Sequence, residues 1–224
     1  MIPGPDQVLQ CPTCESAMLQ PTFSSGNTLD AVYYTDGYMD APMLPQPASL
    51  VRCPACKEPL VRRHATVLGE VERFGVNLFP DEQPGRQADP AWLRAPRVQA
   101  AHEPDYVAIL ATHRYPRDDE IDLRVELMHV CNHARRRLPP HATPPPVSAL
   151  ELANLRKLTA LLDPRDGEER VMLAEVRREL GEFELAAALL AGDFPEEVAL
   201  AGQRIRDLVA DRNHWVAEIF TGEG

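Results

Sequence analysis

Two Cys-Pro-x-Cys motifs place the strongest constraint on this chain: Cys11-Pro12-Thr13-Cys14 and, 38 residues on, Cys53-Pro54-Ala55-Cys56. A tight turn of this kind presents two thiolates to one ion while backbone amides point at the sulfurs. Two such turns complete a tetrahedral four-thiolate set with no open coordination position, which is the pattern of a structural metal site. A hairpin between the motifs is expected to bring them together. Size makes such a staple necessary, because a segment of about 60 residues buries too little surface to be comfortably stable alone. A structural zinc contributes on the order of 10–16 kcal/mol of apparent binding free energy, which becomes folding free energy. Zinc is the expected ion and iron the alternative. A redox dithiol is the reading for one Cys-x-x-Cys alone, and the matched pair argues against it.

The compartment bears on how the cysteines are read. Met1-Ile2-Pro3-Gly4-Pro5-Asp6 lacks the basic and apolar regions of a secretory signal. No run of about 18 apolar residues offers a membrane span. The expectation is a cytoplasmic protein, where paired Cys-x-x-Cys motifs hold metal rather than disulfides. Lys57 and Lys157 are the only lysines among 23 basic residues, and with 22 prolines this usage suggests a GC-rich bacterial genome. Net charge is −11, and residues 148–224 hold 16 acidic against 9 basic side chains. Nucleic-acid binding needs a cationic excess facing phosphates. No segment offers one, so neither nucleic acid nor an anionic membrane is an expected partner.

Three regions follow in order. Residues 7–63 form the β-rich metal domain, with Asp36-Gly37 between Ala31-Val32-Tyr33-Tyr34-Thr35 and Tyr38-Met39 predicting a two-residue type I′ hairpin. Residues 64–103 mix Gly, Pro and charge without a period, and Asp81–Arg86 with Asp89-Pro90 reads as a domain junction. Residues 104–221 form an all-α domain of five or six helices. A short helix is expected over 104–115 and a longer one over Asp118–Arg136, where Ile121, Val125 and Met128 share a face. The prolines from Leu138-Pro139-Pro140 to Pro144-Pro145-Pro146 predict an extended linker. Ser148 and Glu151 form a capping box before a Leu152, Leu155, Leu158, Leu162 stripe. Glu168–Leu180 and Glu182–Ala191 form a helix pair broken at Gly181. A last helix is expected from Pro195, with Val198, Ala201, Ile205, Leu208, Val209, Val216 and Ile219 on its apolar side. The fold class is therefore α+β.

The knuckles at both ends of residues 8–62 resemble those of zinc-ribbon and rubredoxin-like folds. With Ser25-Gly26-Asn27-Thr28 and Ala41-Pro42-Met43-Leu44-Pro45 between them, the segment resembles a group of bacterial zinc-ribbon proteins of unknown function. The rubredoxin resemblance implies iron and electron transfer, with Phe23, Tyr33, Tyr34 and Tyr38 as a partial aromatic cluster. Glu15 and Lys57 depart from that pattern, because such knuckles place glycine there. Residues 168–191 resemble one tetratricopeptide repeat, through Leu173, Ala174, Leu180-Gly181-Glu182-Phe183 and Ala186. That resemblance implies a helical surface for a protein partner; an ordinary helical hairpin is the plainer reading.

Other chemistry-bearing residues are sparse. His129 and His133 lie one helical turn apart with Cys131 between them, but no acidic partner has the spacing of a catalytic zinc motif. His64, near the second knuckle, reads as a surface residue. Arg135-Arg136-Arg137 sits where a helix ends and suits its last carbonyls, with a phosphate contact as the functional alternative. Ser24 and Ser25 have no base or oxyanion pocket placed beside them. No motif of catalysis is present, so the expectation is a metal-stapled interaction protein and not an enzyme.

Overall fold

Short β-forming runs on either side of each cysteine pair make each motif the turn of its own hairpin in the computed structural model, which describes residues 1–72, 89–136, 138 and 142–221. The strands in the first half are β1 (Ile2–Pro3), β2 (Asp6–Gln10), β3 (Ala17–Gln20), β4 (Phe23–Ser25) and β5 (Val32–Tyr34). They continue with β6 (Met39–Asp40), β7 (Leu50–Arg52), β8 (Pro59–Val61), β9 (Thr66–Val71) and β10 (Gln99–Ala100). Helices α1 (Glu103–Leu110), α2 (Arg117–Arg136), α3 (Ala149–Leu161), α4 (Gly167–Glu179), α5 (Phe183–Leu189) and α6 (Ala199–Ala210) follow, then strand β11 (Glu218–Thr221). The architecture is α+β: small antiparallel sheets with a four-cysteine cluster, then six helices among the described residues. None of those helices is long and apolar enough to cross a membrane.

The chain forms two compact units that interleave in sequence. Met1–Thr28 joins Met43–Ile109, and Leu29–Pro42 joins Leu110–Gly224. In the first unit β2 pairs antiparallel with both β3 and β9, and β7 with both β8 and β10. Alternation along these strands sends Leu9, Met18, Val51 and Leu60 into one core with Cys11 and Cys53. Val8, Leu19 and Val71 enter a second cluster with Trp92. Within the expected junction at 64–103, β9 and β10 thus join these sheets, and Trp92 packs against the second cluster. A side chain at Gly69 of β9 would come within 2.7 Å of the Trp92 ring. The Asp81–Arg86 part of that expected loop lies outside the described residues.

The second unit is mainly helical. The Ser148–Glu151 capping box forms on α3, and the Asp166 carboxylate caps α4 by accepting from the Glu168 and Glu169 amides. Leu155, Leu158, Leu173 and Val176 pack with Met128; Val171, Ala174, Phe183, Ala186 and Ile205 fill a neighbouring cluster. Gly181, at φ +75°, ends α4 in a left-handed cap where its amide bonds the Arg178 carbonyl and that of Glu182 bonds Arg177. The expected last helix stops earlier than its apolar spacing suggests. Arg212 turns left-handed at φ +51°, its amide bonds Val209 and that of Asn213 bonds Leu208, so the chain leaves the helix. Ile219 therefore belongs to β11 and Val216 to the segment leading into it.

The Asp36-Gly37 hairpin is present, with two differences from expectation. Only Gly37 has positive φ, at +80°, so the loop is not type I′. It is a three-residue loop in which the Gly37 amide bonds the Tyr34 carbonyl and the Tyr34 amide bonds that of Tyr38. Its place is also different: β5 pairs with β6 and β11 in the second unit, so the hairpin is not what joins the knuckles.

Candidate metal centre

The two knuckles are built alike, residue for residue. The Cys11 amide donates to the Ser16 carbonyl at 3.0 Å and the Glu15 amide to that of Cys11 at 2.9 Å. In the second knuckle the Cys53 amide donates to Glu58 and the Lys57 amide to Cys53, both at 3.0 Å. Glu15 and Lys57 sit at φ +60° and +67°. That conformation costs an L-residue roughly 1–2 kcal/mol, which is why glycine suits the position. Here the turn closes in spite of that cost, so the departure from glycine leaves the knuckle geometry intact.

The four sulfurs converge. Cys11 Sγ lies 3.7 Å from Cys56 Sγ, and Cys14 Sγ 3.7 Å from Cys53 Sγ, so both close pairs run from one knuckle to the other. All four lie within 4.8 Å of one another. A tetrahedral ion with metal–sulfur bonds of about 2.3 Å holds its sulfurs about 3.8 Å apart, so the donor set fits one. Cys11 and Cys53 are fully buried, Cys56 is half-buried and Cys14 is exposed.

Electrostatics favour a cation in their midst. Burial pushes the Cys11 thiol up, against the Cys14 and Thr13 amides that pull it down. Cys14 is held down to about 6, first by the Ser16 hydroxyl and then by the Ser16 amide. Cys56 is pushed up to about 12; the Glu58 amide opposes this, and desolvation with the neighbouring sulfurs outweighs it. Sulfurs so close repel as thiolates, and a divalent ion at their centre turns that repulsion into attraction. Ser16 and Glu58 were not singled out from the sequence. Their signal is positional: each stands two residues beyond the last cysteine of its knuckle.

The remaining candidates are used otherwise. His129 Nε2 meets the Asp36 carbonyl at 2.9 Å, and its ring packs edge-on to Tyr38. His133 is exposed, and His129, Cys131 and His133 form no metal-ligating group among the described residues. His64 is exposed. Ser24 and Ser25 are exposed on β4. Arg135 grips Glu151 at 2.5 and 2.9 Å and also donates to the Pro145 and Pro146 carbonyls, which anchors the proline-rich segment. Arg136 pairs with Asp36 and stacks over Tyr38 at 4.2 Å. Neither arginine faces outward as a phosphate clamp would. Arg137, Pro139 and Pro140 lie outside the described residues.

A buried polar network runs through the second unit. Asn132 donates to Asp36 Oδ2 at 3.0 Å and to Glu179 Oε1 at 2.9 Å. Arg178, with no exposed surface, binds Glu175 and donates to the Asn213 and Trp215 carbonyls. It thereby holds the segment leading into β11. Burial pushes Glu179 well up, with the nearby Glu175 and Asp36 charges adding to the effect.

No family model matches this chain, and neither a curated protein nor a solved structure matches it.

Proposed function

We propose that this chain is a metal-stapled protein-interaction module, in which Cys11, Cys14, Cys53 and Cys56 hold one structural zinc ion and the helical unit engages a protein partner. The observation that carries the reading is the closed set of four sulfurs. It offers an ion four ligands and no position for substrate or water, so the metal's work is to hold the small sheets together. Zinc is preferred to iron because, of the partial aromatic cluster Phe23, Tyr33, Tyr34 and Tyr38, the three tyrosines belong to the other unit and Phe23 alone to the unit of the knuckles. An acidic chain whose Arg135 and Arg136 are engaged by carboxylates has little to offer nucleic acid. The role is that of a binder and not an enzyme, working in a reducing compartment where thiolates persist. The helix pair α4–α5 packs through Ala174, Phe183 and Ala186, in keeping with the tetratricopeptide resemblance. Its second helix, of seven residues, is short for such a repeat.

Elemental analysis and a visible spectrum of the purified chain test the metal. About one zinc per chain and no colour are expected. One iron with thiolate charge-transfer bands would replace the reading with an electron carrier. Cross-linking with mass spectrometry in a native extract tests the interaction, and a chain that captures no partner reproducibly would overturn that half.

A further inference from the structure

The second unit contains an open cavity of about 530 Å³, within the roughly 300–1,000 Å³ range of ligand-binding clefts. Val125 of α2, Met172 of α4, and Val198 and Leu200 at the start of α6 line it with Tyr33 and Phe220. The last two rings stack at 4.5 Å and make an aromatic wall. Leu200 is 65% exposed and Phe220 41%, so the apolar lining reaches the mouth.

The charged lining has one sign. Asp122, Glu168, Glu169, Glu196 and Glu197 border the cavity, and no Lys, Arg or His does among the described residues. Glu169 is bound by Arg117. Glu168, Glu196 and Glu197 are exposed and make no ion pair among the described residues. A Cβ on Gly167 would lie 2.4 Å from Pro195 Cγ, so the start of α4 abuts the turn that leads into α6. That contact sets their acids along one rim. Acids in a first helical turn suit the helix dipole, but the dipole does not require two helix starts to share a rim around an apolar opening.

We propose that this groove docks a basic amphipathic segment of a partner protein, its apolar side chains against Met172, Val198 and Phe220 and its lysines or arginines against Glu168, Glu196 and Glu197. The proposal rests on the reading of this chain as an interaction module. The acids stand on separate elements, so the best complement carries several cations spaced around an apolar centre. An amphipathic peptide does so with its apolar and basic faces side by side.

The test uses the full chain and a short fluorescein-labelled peptide with leucine and phenylalanine on one helical face and lysine on the other, read by fluorescence anisotropy. Saturable binding is expected that weakens with added salt. Leu200→Arg, at an exposed position where folding is preserved, should weaken it about tenfold. Glu196→Gln with Glu197→Gln should weaken it about fivefold at unchanged circular dichroism. No saturable binding, equal binding of the same peptide with glutamate for lysine, or binding unaltered in both variants overturns the groove. A partner cross-linked only elsewhere on the chain would overturn the groove and spare the interaction reading. Peptide binding without any captured partner would do the reverse.

Discussion

Asn132 donates one amide nitrogen to two carboxyl groups, Asp36 Oδ2 at 3.0 Å and Glu179 Oε1 at 2.9 Å, and so ties the β5–β6 loop to the end of α4 through α2. Two carboxyls beside one amide repel if both are charged. Arg136 is paired with Asp36, and burial, with the nearby Glu175 and Asp36 charges adding to it, drives Glu179 toward its neutral form.

The resulting pH dependence has a definite sign. The Glu179 pKa is raised on folding, so the folded state holds its proton where the unfolded chain has lost it. Stability from this group is full below the ordinary value of 4.5 and is lost as pH rises from there through the raised value. Glu179→Gln mimics the neutral acid and still accepts from Asn132. Urea unfolding of the variant should match the parent near pH 4.5 and exceed it at pH 8. Parallel curves across that range would show that Glu179 ionises freely in the fold.

Asp36→Asn should be among the most damaging single changes in the second unit. It removes the charge opposite Arg136, whose side chain is 3% exposed, and leaves a buried cation without its partner. A loss of about 3–5 kcal/mol is expected by chemical denaturation. A loss below about 1 kcal/mol would mean that the cation–π contacts with Tyr34 and Tyr38 suffice.

Glu15→Gly should stabilise the chain. It relieves a left-handed L-residue and keeps the knuckle's backbone bonds, against the greater freedom of glycine in the unfolded state. The net gain expected is about 0.5–1 kcal/mol, visible as a rise in Tm. A fall in Tm would mean that the Glu15 side chain has a role beyond the turn.

Under the zinc reading, Cys11→Ala and Cys14→Ala should both abolish stoichiometric zinc in elemental analysis. Loss of the ion withdraws on the order of 10–16 kcal/mol of apparent binding free energy, enough to unfold the small sheets. The helices should keep their far-ultraviolet circular dichroism signal. Full zinc retention by either variant would mean that the site is not built from these four sulfurs.

Features encoded locally were legible in the sequence. The cysteine spacing, the Ser148–Glu151 capping box, the Gly181 break and the face of α2 each depend on residues within a turn or two of one another. What was missed depends on distant partners. Nothing near Asp36 says that β5 will pair with Glu218–Thr221, nor that its carboxylate will be buried against Arg136. Within residues 64–103, β9 and β10 escaped notice because they are short strands completed by β2 and β7. Val216 and Ile219 continue the apolar spacing of α6, and only the left-handed turn at Arg212 shows that the helix has ended. Arg135 and Arg136 read as partners for the last carbonyls of their helix, because sequence shows charge and not depth.

The interleaving of the two units sets a timetable for synthesis. Every residue that joins the four sulfurs and their sheets lies before position 110, so a growing chain can close the first unit early. Leu29–Pro42 emerges between the knuckles, yet the outer partner of its strand β5 is β11, which follows all six helices among the described residues. Until β11 is made, β5 of this fourteen-residue stretch lacks that outer partner. An ion captured at that stage would fix both ends of the loop and hold β5 ready for a strand still inside the ribosome.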